Sequence, residues 1–150
     1  MLVTPDRASL TARSALLYNL YADAVDRDDL DTLRELATDD VRITRGGSEE
    51  PGGIEAFLDI YRAHVQRAFV ACQHAVSNVI AEQDGDLIRT TAYFQARLFR
   101  ADGTQVLIGR YADDHVEVDG DLKIAHKNIQ VIKVIDAPAG HDAFAYAGTD

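Results

Sequence analysis

Four runs between residues 71 and 135 alternate apolar and polar side chains with a period of two, and Asp-Gly pairs separate them: "DGD" at 84–86, "ADG" at 101–103 and "DGD" at 119–121. A period of two is that of a half-buried strand. An Asp-Gly pair supplies the backbone conformations that a tight hairpin needs. The pattern predicts strands through about 71–82, 87–99, 104–118 and 122–135, joined as an antiparallel meander. In the last run the apolar phase slips between Ile124 and Ile129 and returns at Ile132, which predicts a β-bulge near 127–130.

The first 70 residues follow a different period. Thr4 and Pro5 read as the N-cap and first residue of a helix, with Asp6 favourable in its first turn. Leu10, Leu17, Tyr18, Tyr21, Ala24 and Val25 then fall on one face at about 100° per residue. Leu16 and Leu20 lie on the opposite side, and from them we expect a homodimer. A short helix follows in "DDLDTLRELA", capped by Asp28 or Asp29, with Leu30, Leu33 and Leu36–Ala37 inward. "VRITR" (41–45) alternates as a strand, and "GGSEEPGG" (46–53) reads as a loop. A third helix carries Ile54, Phe57, Leu58, Tyr61, Val65 and Ala68. Helices followed by a meander predict one α+β domain over 1–150, with its core in about 10–135 and a tail from 136.

Charge narrows the range of functions. A formal net charge of -10 disfavours nucleic acid and anionic membranes as partners, since both need a basic footprint. The start "MLVTPDRASL" lacks the basic and apolar regions of a signal peptide, and no apolar run approaches the ~20 residues of a membrane span. The single cysteine, Cys72, cannot form an internal disulfide and fits a reducing cytoplasm. No H-E-x-x-H or C-x-x-C occurs, and His64, His115 and His141 sit at positions expected to be exposed, so neither a metal nor a cofactor is expected. No nucleophile motif surrounds Cys72, and "RGGSEEPGG" lacks the lysine of a phosphate loop.

The segments "LYNLYADAVDRDDLDTLRELATDDVRI", "GGIEAFL", "QHAVSNV" and "GRYADDHVEVDGDLKI" occur in an order that resembles the SnoaL-like branch of the nuclear-transport-factor-2-like superfamily. The resemblance implies a strongly curved antiparallel sheet, wrapped by three N-terminal helices into a cone around an apolar pocket. Within that branch the chain resembles scytalone dehydratase. The likeness puts that enzyme's active-site aspartate at Asp26 and its histidine at His74, while a second histidine is missing near Gln95 or Ala96. "QHAVSNV" and "HKNIQVIKVID" also resemble the β-subunits of ring-hydroxylating dioxygenases, whose partner is a Rieske-type α-subunit.

His74 and Asn78 are polar residues in a strand otherwise suited to a core. Each must be satisfied structurally or put to use. With Asp26 beside it, His74 is either a general acid/base oriented by a carboxylate or a buried histidine held in place by one. Asn78 lies four residues on and shares its face if no bulge intervenes. The expected pocket opens between the first helix and the sheet, bordered by Tyr18, Tyr21, Phe57, Tyr61, Phe94, Ala96 and His126 as well. The functional expectation is a cofactor-independent dehydratase, isomerase or cyclase acting on a small hydrophobic ring or polyketide-like compound. The alternatives are a non-catalytic dioxygenase β-type subunit and a ligand-binding homodimer.

Overall fold

In the computed structural model, which describes residues 2–66 and 69–141, helix α1 spans Pro5–Asp26. Its N-cap is Thr4, whose hydroxyl accepts from the Arg7 backbone N–H at 3.3 Å. The helix ends where Asp28 takes a left-handed conformation, φ 55°. Asp29 then caps helix α2 (Leu30–Glu35), accepting from the Thr32 N–H at 3.0 Å and the Thr32 hydroxyl at 2.8 Å. The two aspartates divide the work: one stops α1, the other starts α2. This sharp turn holds Asp26 as the last residue of α1.

The remaining elements are β1 (Ala37–Arg45), β2 (Ser48–Glu50), α3 (Ile54–Gln66), β3 (Ala71–Asp84), β4 (Leu87–Phe99), β5 (Thr104–Val118) and β6 (Asp121–Ala137). The stretch 46–53, expected as a loop, contains β2, which returns against β1 with Ile43 opposite Glu50. Ala37, expected in the second helix, begins β1. The six strands form one open, curved sheet in the order β2-β1-β6-β5-β4-β3. β3 to β6 are the expected antiparallel meander, while β1 runs parallel to β6. β3 is therefore an edge strand, and α1 covers its free edge. The Ala81 N–H donates to the Thr11 hydroxyl at 3.3 Å and the His74 N–H to Asp26 Oδ2 at 2.8 Å. Two donors of an open edge are thus satisfied by side chains of α1.

Bulges set which residues face inward. In β3, Ser77 pairs with Tyr93 and Ile80 with Thr91, so one extra residue sits between them, and Asn78 takes φ 54°. In β6 the pairing slips at Ala125 and again at Ile132, on either side of the expected 127–130 bulge. After the first slip Lys127, not His126, shares the inner face with Ile124, and both Lys127 and Ile124 are fully buried.

The core forms where the inner faces of α1 and α3 meet β1, β4, β5 and β6, with Leu17, Tyr18, Tyr21, Val25, Phe57, Leu58, Tyr61, Phe94 and Tyr111 buried in it. Leu10 is half-buried, and Leu16 and Leu20 are 59% and 44% exposed. Gly109 opposes Phe94; a Cβ there would strike the Phe94 ring and the Gln130 carbonyl. The glycine is what lets that ring lie flat inside the sheet. Ala68, the side chains of His64 and Val65 and the tail beyond residue 141 lie outside the described residues.

Candidate active site

β3 turns Cys72, His74 and Val76 to its inner face before the bulge. The end of α1 brings Asp26 against this row. Asp26 accepts twice from one residue: from His74 Nδ1 at 2.6 Å through Oδ1, and from the His74 backbone N–H at 2.8 Å through Oδ2. A carboxylate only accepts, so Nδ1 carries a hydrogen, and in the neutral ring the lone pair then resides on Nε2. Two-point contact fixes both the tautomer and the ring plane. The side chains are 10% and 20% exposed, so the pair is sheltered without being sealed. Cys72 stands beside them. Burial, and then the Asp26 carboxylate, pushes its thiol up to about 12, so it is protonated at neutral pH and a poor nucleophile.

Deeper in the cone, the rings of Tyr18 and Tyr21 flank a charge that the sequence reading did not single out. Lys127 Nζ lies 2.7 Å from Asp113 Oδ2, with both side chains fully buried. Nζ also sits 3.2 Å from the centroid of the Tyr111 ring and 4.5 Å from that of Tyr21. Asp113 Oδ1 accepts from the Asn128 N–H at 2.8 Å. Burial pulls the lysine down to about 8, although Asp113 opposes the shift. Phe94 stacks on Tyr111 at 4.4 Å between centroids, and the Tyr21 and Tyr61 hydroxyls are 2.6 Å apart. Tyr18 bonds Thr90 at 2.8 Å. Burial raises all four phenols, Tyr18, Tyr21, Tyr61 and Tyr111, so they are neutral.

This packing corrects the expected pocket wall. Tyr18, Phe57 and Ala96 have no accessible surface, so they border no cavity, and the rings fill the space they were expected to border. Asn78 is turned away from the His74 face by its own bulge. It joins Ala8, Ala12, Ala15 and Val76 in an open cleft of about 830 Å³ between the first half of α1 and β3. His126 is on the outer face, 2.8 Å from the Thr44 hydroxyl and 3.5 Å from Asp114. His115, expected to be exposed, is fully buried against Ser14 and the Tyr18 ring. Burial lowers it to about 4. Of the residues singled out in the sequence, the structure joins His74 to Asp26 and Tyr21 to Tyr61. Lys127 and Tyr111 were missed. Their signal was the phase slip in 124–132, which puts Lys127 inward only if the bulge is placed at Ala125.

The described residues contain no helix long and apolar enough to cross a membrane. Residues 8–128 match the family profile of the SnoaL-like domain. A candidate scytalone dehydratase from Novosphingobium aromaticivorans is similar in structure, with a TM-score of 0.79 at 17% identity, covering 93% of this chain and 99% of that one. A type 2 hexachlorocyclohexane dehydrochlorinase, LinA, also gives a TM-score of 0.79, at 19% identity over 94% of this chain and 97% of its own. A candidate aromatic ring hydroxylase from N. aromaticivorans gives 0.75 at 18% identity, over 87% and 94%. At such identities these likenesses concern the fold. No curated protein matches the sequence.

Proposed function

The chain belongs to the SnoaL-like domain family, and we propose that it is a cofactor-independent acid/base enzyme that eliminates or shifts a proton on a small hydrophobic ring compound. The observation that carries this reading is the two-point hold of Asp26 on His74. A histidine fixed as the Nδ1–H tautomer presents Nε2 as a base, and the carboxylate behind it stabilises the imidazolium that forms on proton transfer. In an elimination Nε2 takes a proton from carbon, the C–H electron pair becomes the new double bond, and hydroxide or halide departs from the neighbouring carbon with its bonding pair. In an isomerisation the same proton returns to another carbon. Two structural neighbours, a candidate scytalone dehydratase and a hexachlorocyclohexane dehydrochlorinase, are named for eliminations of this kind.

The test is a panel of cyclic β-hydroxyketones, ring ketones and chlorocyclohexanes, followed by deuterium exchange at carbon and by product formation. His74→Ala should abolish turnover, and Asp26→Asn should slow it by roughly 10²–10⁴-fold, the usual span for general acid/base catalysis. Both variants should keep substrate binding. Equal turnover by wild type and a folded His74→Ala would refute the assignment.

A further inference from the structure

The proton-transfer reading leaves Cys72 without a role, yet the thiol is the third member of a compact cluster. Cys72 and His74 are two residues apart on one face of an edge strand, and the last residue of α1 closes the group. One ligand-capable atom each from Asp26, Cys72 and His74 lies within 4.8 Å of the other two, and all three residues are half-buried. We propose that this trio binds a borderline-soft divalent cation, of which zinc is the biological representative, and that its occupation switches off the His74 base.

Geometry and ligand chemistry argue for it together. In a tetrahedral site with bonds of about 2.0–2.3 Å, donor atoms stand roughly 3.3–3.7 Å apart. The 2.6 Å contact between His74 Nδ1 and Asp26 Oδ1 must therefore open, and the widest donor separation need close by no more than about 1 Å. Three protein donors leave a fourth position for water, and the partial exposure of His74 and Asp26 leaves an entry path. Sulfur selects against magnesium and calcium, which prefer all-oxygen shells. On binding, the thiol releases its proton to solvent. A metal on Nδ1 moves the imidazole hydrogen to Nε2, so one proton is released in total. The ring then has no basic lone pair, and Asp26 no longer holds it. The ion site stands on geometry alone, whereas its effect on turnover rests on the proton-transfer reading.

Cobalt distinguishes the two. Tag-free protein titrated with Co²⁺ should develop a near-ultraviolet thiolate-to-cobalt charge-transfer band and the visible bands of tetrahedral Co²⁺, both erased by Zn²⁺. Cys72→Ser should lose the charge-transfer band and bind zinc at least tenfold more weakly in competition with a chromophoric chelator. Should that variant not fold, zinc-edge X-ray absorption of the wild type should show one sulfur at about 2.3 Å. No charge-transfer band under excess Co²⁺, no sulfur in the zinc shell, or equal zinc affinity in a folded Cys72→Ser would overturn the site. Proton exchange that depends on His74 with no cobalt band would end the metal inference alone. A cobalt band with no exchange on any compound would end the proton-transfer reading alone.

Discussion

Replacing Lys127 by methionine probes the buried pair at the centre of the cone. Methionine has nearly the length of the lysine stem, so packing changes little while the charge disappears. Asp113 then keeps one hydrogen bond, from the Asn128 N–H, but loses the cation 2.7 Å from its other oxygen, in a place without accessible surface. Removing one partner of a buried pair leaves an uncompensated charge and costs about 3–5 kcal/mol. At 2–4 °C per kcal/mol for a chain of this length, that is a fall in Tm of roughly 6–20 °C. The pair itself adds far less, because burial already disfavours the lysine's charged form, pulling it to about 8. The double variant Lys127→Met with Asp113→Asn removes both charges and keeps an oxygen to accept from Asn128. It should come within about 1 kcal/mol of wild type. Urea unfolding at pH 7, followed by circular dichroism, gives all the corners of the cycle. A single variant that loses less than about 1 kcal/mol, or a double variant as unstable as the single, would refute the account of Asp113 as a charge needing its partner.

Further outcomes follow from other parts of the molecule. His115 titrates near 4 when folded against 6.5 ordinarily, so between those values the unfolded chain binds a proton that the native state refuses. Its contribution is full above pH 6.5 and is lost as pH falls through 4, about 3 kcal/mol in all, so His115→Gln should flatten the acid limb of a stability–pH curve by that amount. Asn78 holds a left-handed conformation, so Asn78→Val should lose about 1–3 kcal/mol in chemical unfolding while Asn78→Gly holds or gains slightly. Gly109→Ala forces Phe94 off Tyr111 and should cost roughly 1–3 kcal/mol by the same measurement. We further propose that a second copy covers Leu16 and Leu20; light scattering should give twice the monomer mass, and Leu16→Glu with Leu20→Glu should halve it.

Local signals in the sequence determined the elements and their order. Thr4 and Pro5 start α1, Asp-Gly pairs close the hairpins, and the change from helical to two-residue periodicity divides the chain into helices and meander. These signals work within a few residues, where backbone sterics and side-chain capping act. The pairing of Asp26 with His74 was also foreseen, through a family resemblance and not through spacing, since 48 residues separate them. What the tertiary structure decided is which side of the sheet each polar residue occupies. A single extra residue in a strand inverts every side chain beyond it. The bulge at Asn78 thus takes the asparagine off the His74 face, and the slip at Ala125 exchanges His126 for Lys127 at the centre of the cone. Those insertions are fixed by pairing with β4 and β5, and the meeting of Cys72 with Asp26 depends on α1 docking along the β3 edge. Alternation along one strand records neither the partner's register nor what packs beside it.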